Sequence, residues 1–232
     1  VVDARVAELR AFYDGQAPDY DRTRGGQARA QAAAAAFGEL LGAPGGLVIE
    51  VATGTGAVAD ALRRNGYQVA GVDVSVGMLR LAAARLPGRV VQADGRALPV
   101  ADGGCTAVVF SWLLHLVDDA APFVAEAARV LAPGGLVVST VDKRAAMPDR
   151  PGATGIGQGD ADATGRMDAL CAAAGLALAG STTYVAVGQP GEPRYPVRAW
   201  RSARSAAVGA DPSTRSTRIA RTTRAGLGRG VR

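Results

Sequence analysis

Cysteine is almost missing from this 232-residue chain: Cys105 and Cys171 stand far apart and belong to no CxxC or Cys/His array. That excludes a disulfide framework and a cysteine zinc site, and leaves two small buried hydrophobes in a reducing, cytoplasmic setting. Histidine and lysine occur once each, as His115 and Lys143, so no metal centre is expected. Aromatic residues make up only 5%, yet 48% of the chain is hydrophobic, enough to bury the core of one domain. No apolar run approaches bilayer length: the longest, Cys105 to Val117, contains His115 and is well short of the roughly 20 residues a span needs. Val1 to Arg10 carries scattered charge and no apolar centre, which argues against a secretory signal. Internal repeats are absent.

Acidic residues are lacking in one region only. Residues 201–232 hold eight arginines and one aspartate, so the formal net charge of +5 belongs to this tail and the preceding 200 residues are slightly acidic. The skew toward arginine over lysine, with abundant alanine, reflects a GC-rich coding bias more than selection for nucleic acid. The tail has almost no large apolar side chains and no interleaved aromatics, and is expected to be a disordered extension.

Short β-branched runs alternate with Ala/Leu/Arg-rich stretches from about residue 46, the pattern of a parallel α/β sheet. The expected strands are Leu47–Ala52, Gln68–Val74, Arg89–Gln92, Thr106–Ser111 and Leu136–Val141. Helices fill the gaps: Gly56–Asn65, Ser75–Leu86, and one carrying Asp118 and Asp119 in its first turn and reaching Leu131. Pro133-Gly134-Gly135 reads as the turn into the fifth strand. Arg144 to Gly165 reads as a long loop. A short helix, Met167–Ala174, then leads to Leu176–Val187 and Tyr195–Trp200, an antiparallel hairpin at the sheet edge. Ala4–Tyr13 and Ala28–Leu41 read as two helices ahead of the sheet.

The chemistry concentrates at Glu50-Val51-Ala52-Thr53-Gly54-Thr55-Gly56, an apolar strand ending in a glycine-bearing turn that opens a helix. Backbone without Cβ atoms lets a ligand approach, and helix N-terminal N–H groups favour negative or electron-rich groups. The second strand ends in Asp73, where a carboxylate can accept from both hydroxyls of a ribose. Together these make an adenosine-type site. Gly54-x-Gly56-x-x-Ala59 alone also satisfies a relaxed dinucleotide fingerprint, so an NAD-dependent oxidoreductase is a competing reading; with Lys143 the only lysine, no Tyr-x-x-x-Lys pair supports it.

Four segments resemble the class I S-adenosylmethionine (SAM) dependent methyltransferases, in the branch of ubiquinone/menaquinone and small-molecule methyltransferases. They are Glu50 to Gly56, Gly71-Val72-Asp73-Val74-Ser75 with Met78, Gln92-Ala93-Asp94-Gly95, and Leu131-Ala132-Pro133-Gly134-Gly135. Tyr13-Asp14-x-x-Ala17-x-x-Tyr20-Asp21 resembles the N-terminal signature of many members, where helices form a lid. The resemblance implies a Rossmann-like α/β fold with a mostly parallel seven-stranded sheet, helices on both faces and a terminal antiparallel hairpin. It divides the chain into a helical lid (1–45), a SAM-binding core (46–202) and the basic tail (203–232). Ala52 departs from the pattern, standing where the family usually has its first glycine, and implies a tighter or slightly displaced cofactor.

Under this resemblance Glu50 faces the cofactor's ammonium, Asp73 its ribose and Asp94 its adenine amine, with Val74 and Met78 on the adenine faces. Ala52, Thr53, Gly54, Gly56, Gly95, Ser111 and Tyr20 complete the cofactor set, and Tyr13, Trp112 and His115 the substrate pocket. Each of the last group also has a structural reading. Trp112 either lines the pocket or packs in the core, Tyr13 and Tyr20 either close on the sulfonium or anchor the lid, and His115 is either a general base or a scaffold residue. The implied activity is methyl transfer to a small molecule, in secondary metabolism or quinone-like chemistry, by a monomer or homodimer without membrane or nucleic-acid partners. An RNA-directed enzyme using the arginine tail is a further alternative.

Overall fold

A computed structural model describes residues 4–147 and 160–204. Seven strands form one sheet in the order β3-β2-β1-β4-β5-β7-β6. They are β1 (Leu47–Val51), β2 (Gln68–Asp73), β3 (Val90–Gln92), β4 (Cys105–Phe110), β5 (Leu131–Thr140), β6 (Leu176–Val185) and β7 (Arg194–Ser202). The first five run parallel, and β7 pairs antiparallel with both β5 and β6. The sheet and its terminal antiparallel hairpin are those expected from the sequence.

Valine, leucine and isoleucine dominate β1, and β4 is almost wholly buried, because both faces of these central strands are covered. On one face α3 (Gly26–Leu41) and α4 (Ala57–Arg64) pack Phe37 and Leu62 against Val48, Val69 and Val109. On the other, α6 (Ala121–Val130) and α7 (Thr164–Ala173) pack Phe123, Val124 and Met167 against Ile49, Phe110 and Trp200. The alanine tract of α3 lets the helix lie close to α4: Ala30, Ala33 and Ala34 are at most 1% exposed. Phe110 is fully buried, so Phe110→Ala would cost about 3–5 kcal/mol.

Several expected boundaries shift. Asp118 and Asp119 precede α6 instead of lying in its first turn; the Asp119 carboxylate accepts from the Ala121 N–H just ahead of it. The fifth strand begins at Leu131, before Pro133-Gly134-Gly135, because Leu131 already pairs with Cys105 and the register slips before resuming at Ala107 with Leu136. The first N-terminal helix, α1, covers Ala4–Gln16, and a short α2 covers Tyr20–Thr23. α7 starts at Thr164, within the stretch read as loop, and the hairpin strands run to Val185 and from Arg194. The centre of that loop, 148–159, and the arginine-rich tail from 205 lie outside the described residues. Among those described, no helix is long and apolar enough to cross a membrane, and no cluster of potential metal ligands occurs.

The topology fixes where a ligand can sit. From β1 the chain winds outward to β2 and β3, then returns to place β4 on the other side of β1. The strand order reverses at β1/β4, and the crevice beyond their carboxyl ends is open to a ligand.

Candidate active site

The turn leaving β1 forms the floor of this crevice. Thr53 N–H donates to Val72 O at 3.0 Å and Gly56 N–H to Thr53 O at 2.9 Å, which closes the turn tightly against β2. Gly54 has φ 57°, and a Cβ built on it meets nothing within 4 Å, because it faces the open crevice. Gly56, at φ 75°, has a different reason to be glycine: a Cβ there would lie 3.1 Å from Ala82 of α5 (Val76–Arg85), so this residue serves helix packing and does not line the crevice. Ala52 adopts φ 56° with a side chain in place of the expected glycine's hydrogen. Its departure from the family pattern therefore falls on the backbone, which it holds in the left-handed region that costs an L-residue about 1–2 kcal/mol.

Glu50 is 1% exposed at the carboxyl end of β1. Its two carboxylate oxygens accept from Thr53 Oγ1 at 2.6 Å and Ser111 Oγ at 2.8 Å. Burial pushes its carboxyl up to about 7, and the two hydroxyls pull against that shift. No basic side chain hydrogen-bonds to it among the described residues; it is a buried acid held in place by neutral donors, suited to an incoming cation.

Asp73, at the end of β2, ties two turns together. Oδ2 accepts from Gly54 N–H and Oδ1 from Ser75 N–H, both at 2.8 Å. Burial raises its pKa while these backbone donors lower it. Ser75 then caps α5, its Oγ accepting from Met78 N–H at 3.1 Å. Asp94 carries a bidentate pair with Arg96, and Gly95 lies so close to Val51 and Phe123 that a Cβ would collide with Val51 at 2.5 Å. Any amine reaching Asp94 shares that carboxylate with Arg96.

The lid signature separates into two functions. Tyr13 and Tyr20 meet edge to face, 6.1 Å between centroids, and both line the crevice. Tyr13 is half-buried, and the desolvation of its hydroxyl, reinforced by Tyr20, raises it above the usual phenol value. The adjacent aspartates bind the neighbouring turns and helix: Asp14 accepts from Ser75 Oγ (2.6 Å) and Gly77 N–H (2.8 Å), and Asp21 from Thr55 Oγ1 (2.7 Å) and Arg85 Nη2 (2.6 Å). The tyrosines face the ligand space while the aspartates fasten their helices to the two turns.

Two adjoining hollows result. A narrow one of about 90 Å³ is walled by Glu50, Thr53, Gly54, Met78, Ser111, Trp112, Tyr13 and Tyr20. A wider one of about 330 Å³ takes in Asp94, Gly95 and Phe123. Ala52, Asp73 and Val74 belong to both. The structure thus brings together every cofactor residue expected from sequence except Gly56. His115 lines neither hollow; its Nε2 lies 2.8 Å from Lys143 Nζ, and burial, then the charges of Lys143 and Arg24, hold its pKa well below the usual imidazole value. Arg29, which no sequence pattern marks, lies on the wall of the narrow hollow with its guanidinium carbon 3.8 Å from the Trp112 ring centroid. Trp112 itself lines the hollow at φ 58° and donates its indole N–H to Tyr184 OH at 2.6 Å.

Comparisons with known proteins agree with this geometry. The model of a methyltransferase domain family matches residues 49–139. A demethylmenaquinone methyltransferase from Renibacterium salmoninarum is 36% identical over 143 residues, covering 59% of this chain and 60% of that protein. A ubiquinone/menaquinone biosynthesis C-methyltransferase from Desulfotalea psychrophila is 45% identical over 104 residues, 42% of each chain. The chain thus spans less than two thirds of the length of these relatives. Among solved structures, a SAM-dependent methyltransferase from Thermotoga maritima, described as a possible histamine N-methyltransferase, superposes with TM-score 0.66 at 17% identity, over 84% of this chain and all of that one. The turns after β1 and β2 lie inside the matched segment, so residues 49–139 are similar to a methyltransferase domain and the chain shares the fold of that solved methyltransferase.

Proposed function

We propose that this protein transfers a methyl group from SAM to a small-molecule acceptor, and that the acceptor is an aromatic ring of quinol type. The observation that carries the reading is the pairing of Glu50 and Asp73 at the ends of adjacent strands, around a turn whose Gly54 leaves space for a ligand. The residues present fit SAM. Glu50 offers a buried acid for its ammonium, Asp73 retains acceptor capacity for a ribose diol, Asp94 does so for an adenine amine, and Val74 and Met78 supply apolar walls. When bound, SAM supplies an electrophilic methyl group on a sulfonium.

The chain's own contribution is positioning and exclusion of water. Tyr13 and Tyr20 close the crevice from above and present aromatic faces that favour a cation. Trp112, with the Arg29 guanidinium over its ring, forms part of the wall toward the acceptor. The quinol assignment is supported by relatives whose names specify menaquinone and ubiquinone precursors. With a carbon nucleophile in a ring already activated by hydroxyl groups, a strong base is not required, which agrees with His115 standing off the cavity wall as a scaffold residue paired with Lys143.

Incubation with SAM and a panel of reduced naphthoquinones and benzoquinones lacking the ring methyl tests this, with S-adenosylhomocysteine (SAH) and methylated product followed by mass spectrometry. Equimolar SAH and ring-methylated product is the expected result. SAM binding without turnover of any quinol, alongside turnover of an amine or thiol, would overturn the acceptor assignment and leave methyl transfer standing.

A further inference from the structure

Three cations gather around Trp112 and the lid tyrosines. Arg29 lies over the Trp112 ring, 3.8 Å from its centroid. Arg24 joins α2 to α3, between Asp21 and Gly26, which both line the narrow hollow; it is half-buried, and its guanidinium carbon stands 6.0 Å from the Tyr20 ring centroid. Lys143 follows β5, the neighbour of β4 in the sheet, and its Nζ reaches His115 beyond the end of β4. The charges of Lys143 and Arg24 both act on His115, and those of Arg24 and Arg29 both act on Tyr13, so the lid and the strand ends bring all three to one region. Lys143 is the only lysine among 26 basic residues and His115 the only histidine, and the two meet at 2.8 Å. An ammonium has no lone pair to offer, so the neutral imidazole accepts from it and fixes where that charge sits.

Like charges drawn together cost free energy unless an anion answers them. The acids of the lid are committed elsewhere: Glu8 to Arg5, Asp14 to Ser75 and Gly77, Asp19 to Arg22, and Asp21 to Thr55 and Arg85. Lys143 has Asp162 close by, which accepts from its backbone N–H at 3.0 Å, but Arg24 forms no ion pair among the described residues. SAM brings one carboxylate, which a single cation answers. A quinol hydroxyl ionises near pH 10, as a phenol does, and is uncharged at neutral pH, whereas a ring carboxylate is ionised throughout. We propose that Arg24, together with the Lys143 held by His115, binds a carboxylate carried by the methyl acceptor, so that the substrate is an anionic aromatic compound. This rests on the small-molecule acceptor reading above and narrows it. Arginine suits the task because its planar fork can pair both oxygens of a carboxylate, and lysine adds a point charge.

Calorimetric titration of the SAH-saturated protein with 1-hydroxy-2-naphthoate and with 1-hydroxy-2-naphthamide tests this, the two differing in charge and little in shape. Wild type is expected to bind the acid about tenfold or more tighter than the amide, the scale of a charge-assisted hydrogen-bonded pair. Arg24→Met and Lys143→Met should each remove most of that preference by weakening the acid alone, and Arg24→Lys should recover part of it. SAH affinity, measured first, should stay within about twofold of wild type in all three variants. Equal binding of acid and amide by wild type, binding of neither, or variants that weaken both alike would each overturn the proposal. So would a loss of SAH affinity that matches the loss of the acid, because Arg24 would then belong to the cofactor. If Arg24→Met does not fold, Lys143→Met and Arg24→Lys make the same comparison. The reduced-quinone panel separates this from the reading it rests on. Turnover of uncharged quinols with no gain from a ring carboxylate contradicts the anionic acceptor and leaves the quinol standing; methylation of a carboxylated aromatic amine with no turnover of any quinol does the reverse.

Discussion

The turn after β1 and the turn after β2 are built from similar parts to opposite ends. Both follow parallel strands that lie side by side, both end in the first turn of a helix, and both carry a buried carboxylate. In the second, the local demands are met: Asp73 accepts two backbone N–H groups, Ser75 caps α5, and the Asp14 carboxylate closes over Ser75 and Gly77. In the first, Glu50 is buried with neutral donors only, Ala52 sits at positive φ, and the Nε of nearby Arg29 is buried without a hydrogen-bond partner. The relaxed turn is the scaffold, and its Asp73 grips Gly54 of the strained one. Such local cost persists where the surrounding structure fixes it and a ligand makes use of it.

Substitutions on the two sides should therefore act in opposite directions on the stability of the unliganded protein. The largest effect is expected at Glu50. Its pKa of about 7 in the folded protein lies above the ordinary 4.5, so the native state holds that proton more tightly than the unfolded chain. The native state is then favoured below about pH 4.5, and that advantage is lost as pH rises to about 7. Glu50→Gln should stabilise the unliganded protein by about 3 kcal/mol at pH 8 and by little near pH 4.5, measured by urea denaturation, while weakening SAH binding.

Asp73→Ala should do the reverse, destabilising by about 2 kcal/mol because the Gly54 and Ser75 N–H groups lose their acceptor. Ser75→Ala should cost about 1 kcal/mol, the usual worth of an N-cap, with a further loss from Asp14 that speeds SAH dissociation in stopped flow. The smallest change is expected for Ala52→Gly, which relieves the left-handed strain but loosens the unfolded chain: a net gain of about 0.5 kcal/mol in the same denaturation assay. A loss of stability there would mean the methyl group packs usefully and the turn is not strained.

Much of this was legible in the sequence because the signals were local. Continuous β-branched runs marked strands covered on both faces, and the turn residues at Gly54, Asp73 and Ser75 announced themselves by type and spacing. The fifth strand was misplaced because Pro133-Gly134-Gly135 reads as a turn, whereas pairing of Leu131 with Cys105 across a register shift begins the ladder earlier. The Tyr-Asp pairs of the lid could be recognised as a motif, but the division of labour within them depends on α5 lying beneath α1. Arg29 was invisible for the same reason. An arginine among alanines is an ordinary helix former, and only the approach of Trp112 from beyond the end of β4 reveals a buried cation. The pairing of His115 with Lys143 likewise joins segments 28 residues apart.

The central claim is that the crevice bounded by these two turns holds the adenosine and methionine moieties of SAM. Isothermal titration of the unmodified protein with SAH tests it most directly. The account predicts one site per chain, saturating in the micromolar range, displaced by SAM and weakened in both Glu50→Gln and Asp73→Asn. Absence of binding by the folded protein, or binding that neither substitution alters, would contradict it.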